Sequence, residues 1–307
     1  MSVVSSQSVQ DPDHFKMKAI EKIKEVTETL SPCGIESAEK EAELILRYGL
    51  QIDPVILYSD NPELNEEEEL LIRQMMKRRS EREPLQYIVG TVEFMGLTIH
   101  VGRGVLIPRP ETELMAEHAI KMLRAQSTEN RTQNSGPSLT ILDLCTGSGC
   151  LALSLASAFP DSQVYGTDVS GEALSYARQN AASNGLRNAS FFLSDLFSAL
   201  VPKQSFDLII SNPPYIKTED IGNLQPEVRD WEPRHALDGG GDGLDYYRQI
   251  VSGACNFLKK KGILMVELGD DSYPDVNEMF TTAGYSGIEV MTDYSGKKRI
   301  LQGIWTR

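Results

Sequence analysis

Apolar residues recur along this chain at two different periods. Between residue 17 and about residue 90, Ile20, Ile23, Val26 and Leu30 repeat at three- and four-residue steps, the spacing of one helical face. Ala38, Ala42, Ile45 and Leu46 predict a second helix in the same way. Asn65 is placed to cap a third, with Glu66 to Glu69 in its first turn and Lys77-Arg78-Arg79 near its end. That polarity complements the helix dipole, so the acidic run reads as a solvated helix face rather than a docking patch.

Past this region the period shortens. Residues 92–101 alternate around Gly96 and predict a hairpin. A helix is expected from Glu111, then a surface loop over 125–138, rich in Ser, Asn, Thr and Gln. Short apolar strands follow at 140–144, 163–167, 190–193, 206–211 and 261–268, with an apolar helix at 150–159. Residues 287–292 and 299–305, joined by Tyr294-Ser295-Gly296-Lys297, predict a terminal hairpin. Alternating strands and helices make the fold α/β. The expected organisation is a disordered tail at 1–16, a helical domain at 17–90, a hairpin linker at 91–106 and the α/β domain at 107–307.

Candidate chemistry collects at the strand ends. Asn212-Pro213-Pro214-Tyr215 closes the 206–211 strand. Two prolines fix two φ angles and remove two donors, and the first pushes Asn212 out of the helical region. The corner presents an amide, free carbonyls and an aromatic face. That set suits a planar group bearing an NH2, such as a glutamine side chain or the amine of adenine or cytosine. Upstream, Cys145-Thr146-Gly147-Ser148-Gly149 joins a strand to a helix, where glycines and a helix N-terminus favour a nucleotide-like cofactor. Asp168 ends the next strand and is placed for ribose hydroxyls or as a helix cap. Asp195, after the third strand, reads as an acceptor for an adenine amine or as a turn residue, with Leu196 to pack on the ring.

Position 152 holds Ala152 where a dinucleotide-binding loop wants its third glycine. The stretch Asp143-Leu144-Cys145-Thr146-Gly147-Ser148-Gly149 instead resembles the first motif of the class I methyltransferases. Further motifs narrow the resemblance: Glu83-Pro84-Leu85-Gln86-Tyr87-Ile88-Val89-Gly90, Glu93-Phe94-Met95-Gly96, Leu106-Ile107-Pro108-Arg109-Pro110-Glu111-Thr112-Glu113, Asp195 to Leu200, and Leu237-Asp238-Gly239-Gly240-Gly241-Asp242-Gly243-Leu244. Together they resemble the bacterial release factor glutamine methyltransferases, over roughly residues 17 to 307. Cys145 departs from the family pattern, which often has Gly there.

The resemblance implies a doubly wound, Rossmann-like methyltransferase sheet with an antiparallel last strand, behind a small helical substrate-recognition domain and a hairpin linker. It implies S-adenosylmethionine as cofactor, S-adenosylhomocysteine as product, and no metal. Cys145, Thr146, Gly147, Ser148, Gly149, Asp168, Asp195, Leu196 and Asn212 would surround the cofactor. Asn212, Pro213 and Tyr215 would carry catalysis, and Pro214 would join them against the substrate. That substrate would be the glutamine of the Gly-Gly-Gln loop in peptide chain release factors. Enzymes that methylate adenine in DNA or RNA share the corner and the loop, so those motifs do not separate the two. A DNA enzyme must flip its base and usually carries a basic, aromatic recognition module, which the N-terminal helices lack. A binding protein without chemistry is the third reading, and the intact Asp168, Asp195 and Asn212 corner argues against it.

Composition adds three points. Lys and Arg number 30 against 44 Asp and Glu, for a net charge of −14, which favours a protein substrate over a phosphate backbone. Cys33, Cys145, Cys150 and Cys255 have no metal-like spacing, and neither do His14, His100, His118 and His235, each read as a surface or hydrogen-bonded core residue. With no bilayer-length apolar run and no signal-like core in residues 1–16, the expectation is a reduced, cytoplasmic protein, monomeric by default, with Met17 as an alternative start. Arg109, between Pro108 and Pro110, has two readings: it lines the substrate entrance, or it pairs with Glu111 or Glu113.

Overall fold

The computed structural model describes residues 17–129, 138–201 and 205–306. The tail expected at 1–16, His14, and residues 130–137 of the expected loop lie outside them. Two compact units divide between Val89 and Gly90.

The first unit comprises α1 (Ala19–Leu30), α2 (Ala38–Leu50), α3 (Pro54–Ser59), α4 (Glu66–Ser80) and α5 (Leu85–Val89). Val26, Leu30, Ala42, Ile45, Leu46, Leu57 and Ile72 are fully buried in its core. The α1 stripe differs from the expected one: Ala19, Ile23, Val26 and Leu30 are buried, whereas Ile20 is 41% exposed. Ile20 is one position beyond Ala19 and so turned about 100° around the helix, off the stripe. Lys22 is buried instead, with its ammonium 2.9 Å from Glu25 and 3.7 Å from Glu69. Asn65 caps α4 as expected. Its side chain accepts the Glu68 N–H at 3.0 Å, and the Glu68 carboxylate accepts the Asn65 N–H at 2.8 Å.

The second unit opens with the hairpin β1 (Thr91–Phe94) and β2 (Leu97–His100), then α6 (Pro110–Glu129). Residues 125–129 are therefore helical where a loop was expected. Ala125 and Gln126 are good helix formers that extend a helix already nucleated. Next come β3 (Thr140–Leu144), α7 (Cys150–Ala158), β4 (Gln163–Asp168), α8 (Gly171–Ser183), β5 (Ala189–Leu193) and β6 (Phe206–Ser211). α9 (Pro226–Arg229), α10 (Asp245–Ala254), β7 (Leu258–Glu267), α11 (Tyr273–Ala283), β8 (Ser286–Thr292) and β9 (Lys298–Ile304) complete it.

The strands form one seven-stranded sheet in the order β5-β4-β3-β6-β7-β9-β8. The first five of that order are parallel, and β9 inserts antiparallel between β7 and β8. This is the doubly wound sheet with an antiparallel closing strand that the resemblance implies. Ile141-Leu142 and Leu208-Ile209-Ile210 are wholly buried apolar runs, as strands covered on both faces must be.

The winding reverses between β3 and β6, and a crevice opens at such a switch point beyond the C-terminal strand ends. The register sets what faces it. Leu144 pairs with Thr167 and with Ser211, and Ser211 pairs with Val266. The next residues, Cys145, Asp168, Asn212 and Glu267, therefore lie along one edge. The β1–β2 hairpin is tethered to α8: Asn180 accepts the His100 N–H at 2.7 Å and donates to the carbonyls of His100 and Ser148.

Candidate active site

After β3 the backbone turns at Cys145 with φ +58°, a left-handed conformation that costs an L side chain about 1–2 kcal/mol and glycine almost nothing. The departure from the family pattern at Cys145 thus falls at a position whose geometry suits glycine. Asp143, just before the turn, is fully buried. One of its oxygens accepts the Thr146 hydroxyl at 2.6 Å and the Ala152 N–H at 3.2 Å, and the other has no partner among the described residues. Burial raises its carboxyl to about 7. The turn closes through Thr146 N–H to the Thr167 carbonyl at 2.9 Å and Gly149 N–H to the Thr146 carbonyl at 2.8 Å. Gly149 starts α7 at φ +80°, and a Cβ there would lie 3.1 Å from that of Ala177, so glycine lets α7 begin this close to α8 without strain.

Asp168 accepts the Gly147 N–H and the Ser170 N–H, each at 2.9 Å, on its two oxygens. It does not cap α8. Ser170 does, its hydroxyl accepting the Ala173 N–H at 3.1 Å. Burial raises the Asp168 pKa, against the pull of those two N–H groups. Each carboxylate oxygen keeps a second lone pair, so the residue can accept two further donors. At the end of β5, the Asp195 backbone holds the turn: its N–H donates to the Ser198 hydroxyl at 3.2 Å, and its carbonyl accepts the Ser198 N–H at 2.9 Å. The Asp195 carboxylate is left exposed. Leu196 is buried, with φ +44°.

At the end of β6, the Asn212 amide nitrogen donates to the Thr112 hydroxyl at 3.1 Å, and that hydroxyl donates to Glu267 at 2.7 Å. Burial raises the Glu267 carboxyl to about 7. Thr112 and the cations of Arg299 and Arg109 pull it down, while Glu111 pushes it up. Pro213 and Pro214 are buried. The Tyr215 ring sits on Gly269, where a Cβ would come within 2.7 Å of Cδ2. The glycine-rich segment at 237–244 returns to clamp the corner: Ile216 N–H donates to the Leu237 carbonyl at 2.9 Å, and Gly239 N–H to the Ile216 carbonyl at 2.8 Å.

These strand ends wall an open cleft. From the expected set, Cys145, Thr146, Gly147, Ser148, Asp168, Asp195, Leu196, Asn212 and Pro214 line it, and Gly149, Pro213 and Tyr215 do not. Thr112, His235 and Tyr246 also line it, unforeseen. Arg109 lines the cleft too, and its ion-pair partner is Glu232, not Glu111 or Glu113. Glu232 is buried and also accepts the Ile107 N–H at 3.2 Å. Arg103 lies 4.5 Å over the Trp231 ring, a second tie between the two segments that wall the cleft. No spacing rule in the sequence pairs residues more than a hundred positions apart, so Glu232 and Glu267 carried no signal.

The parallel sheet, the glycine turn after β3, acids after β4 and β5, and an Asn-Pro-Pro-Tyr corner after β6 together define a methyltransferase. A family model described as methyltransferase domain matches residues 135–298, and one described as PrmC N-terminal domain matches residues 21–90. The release factor glutamine methyltransferase of Thermodesulfovibrio yellowstonii is 40% identical over 285 residues, covering 93% of this chain and 97% of that protein. That of Geobacter sulfurreducens is 44% identical over 276 residues, covering 89% and 92%. The chain belongs to the release factor glutamine methyltransferase family. Among the described residues, no helix is long and apolar enough to cross a membrane.

Proposed function

We propose that this protein transfers a methyl group from S-adenosylmethionine to the side-chain amide nitrogen of the glutamine in the Gly-Gly-Gln loop of peptide chain release factors. The observation that carries the proposal is Asn212, set at the switch point on the same cleft as Asp168 and Asp195. The cleft suits the cofactor. Asp168 retains lone pairs for two ribose hydroxyls, Asp195 offers an unengaged carboxylate to an adenine amine, and the turn from Cys145 to Ser148 brings backbone close.

Bound there, S-adenosylmethionine supplies an electrophilic methyl carbon and leaves as S-adenosylhomocysteine. The protein's task is the nucleophile, because an amide nitrogen's lone pair is delocalised into its carbonyl. The Asn212 side-chain oxygen and the Pro213 carbonyl accept the two amide N–H groups and aim the nitrogen. Those bonds strengthen as a new N–C bond makes the nitrogen cationic. Positioning of this kind supplies on the order of 7–11 kcal/mol in favourable systems. Tyr215 offers its face to the amide plane, and Gly269 gives the ring its seat. The methylated amide cation is acidic and loses its proton to water. The helical unit ending at Val89 is assigned to recognising the release factor, in keeping with the acidic chain's poor match to nucleic acid.

The test is methyl transfer from labelled cofactor to a purified release factor, beside a variant whose Gly-Gly-Gln glutamine is alanine and a duplex DNA control. Label on the wild-type factor alone is the expected result. Label on DNA favours an adenine amino-methyltransferase, and label on the alanine variant places the modification elsewhere.

A further inference from the structure

We infer that Thr112 and Glu267 are positioning residues that fix which end of the Asn212 amide faces the substrate. The inference rests on the methyl-transfer reading above and names what makes that reading work at the atomic level. An asparagine amide is nearly symmetric in shape, and its two ends differ only in hydrogen bonding. If the NH2 end faced the cleft, it would meet the NH2 of the glutamine donor against donor.

The orientation follows from a chain of two bonds. When ionised, Glu267 only accepts, so it takes the single proton of the Thr112 hydroxyl, at 2.7 Å. Having given that proton away, Thr112 can only accept from its other neighbour. It accepts from the Asn212 nitrogen at 3.1 Å, and the Asn212 oxygen is left for the cleft. Three separate elements contribute: the first turn of α6, the corner after β6 and the end of β7. Thr112 is 3% exposed and Glu267 1%, so water does not stand in for a lost link. Burial and the Glu111 charge favour the Glu267 acid, while the Thr112 hydroxyl, Arg299 and Arg109 favour its anion.

Two variants test this. Thr112→Val keeps the shape and removes the hydroxyl, and Thr112→Ser restores it. Losing one oriented hydrogen bond predicts a kcat for release-factor methylation lower by about tenfold in Thr112→Val, with recovery in Thr112→Ser. The cofactor dissociation constant should stay within about twofold in both. A second readout needs no activity: in protein labelled with 15N-asparagine, the Asn212 side-chain NH2 should be protected from solvent exchange in wild type and Thr112→Ser, and unprotected in Thr112→Val. An unchanged kcat and unchanged protection in Thr112→Val overturns the inference. So does a loss of cofactor binding in step with kcat, which would make the bond structural only. If the wild-type enzyme transfers nothing to the release factor, the proposed function falls, while the exchange measurement still decides the relay.

Discussion

The Gly147 N–H donates to the Asp168 carboxylate at 2.9 Å, tying the turn after β3 to the tip of β4. The acid assigned to the ribose therefore also sets the shape of the glycine turn. Asp168→Ala should raise the S-adenosylmethionine dissociation constant by about 10- to 100-fold, the worth of one or two hydrogen bonds to a charged group. Calorimetric titration measures it. A constant near the wild-type value would leave Asp168 as a loop brace alone.

Asn212→Ala should act in the opposite sense. Removing one acceptor aimed at developing charge costs about 10²–10³ in kcat, while cofactor affinity changes only a few-fold. Single-turnover methylation beside a binding isotherm separates the two effects. Equal losses in both would assign Asn212 to the cofactor or to the fold.

Much of this site was legible because each component lies at the end of its own strand. The β3 turn, Asp168, Asp195 and Asn212 each sit where an apolar run stops, and parallel register alone brings such ends together. What supports them was not legible. Thr112 precedes Asn212 by 100 positions, and Glu232 follows Arg109 by 123. Their pairing depends on how a helix and a returning loop pack, which no local period encodes. The α1 stripe failed differently. Ile20 fits the three-residue step, but Ala19 occupies the buried position, with its N–H donating to the Pro62 carbonyl at 2.9 Å. The loop expected at 125–138 began too early, because composition does not mark where a nucleated helix stops.

Gly269 has no side chain to offer chemistry, yet it gives Tyr215 its seat. Gly269→Ala would put a Cβ 2.7 Å from Tyr215 Cδ2, close enough to push the ring and the corner behind it. Overpacking of this kind costs about 1–3 kcal/mol. The expected outcome is a lower melting temperature and a reduced kcat, with cofactor affinity near wild type because Asp168 and the β3 turn are untouched. A variant with wild-type kcat would show that the position of the Tyr215 ring does not matter for transfer.

The two deepest carboxyls should make stability and activity move in opposite directions with pH. Burial raises both Asp143 and Glu267 to about 7, well above their unfolded values. Between about pH 4 and pH 7 the folded protein therefore holds protons that the unfolded chain has lost, and unfolding free energy falls as pH rises. The slope approaches about 1.4 kcal/mol per pH unit for each group near the middle of that window. Burial shifts Asp168 and Glu232 the same way. The lowered carboxyls of Asp270 and Asp293, held by Lys297, Arg299 and Ser295, act below the window and do not offset it. Activity should rise instead. Only the Glu267 anion forces Thr112 to accept from Asn212; once protonated, Glu267 can donate to Thr112 and release the amide to turn. Urea unfolding at about pH 5 and pH 8 should show the folded state weaker at the higher value, with the difference reduced in Asp143→Asn and in Glu267→Gln. Over the same range kcat should increase through about pH 7 in wild type, and Glu267→Gln should lose that step. A wild-type kcat flat from pH 6 to pH 8 would mean that the Glu267 proton does not govern Asn212.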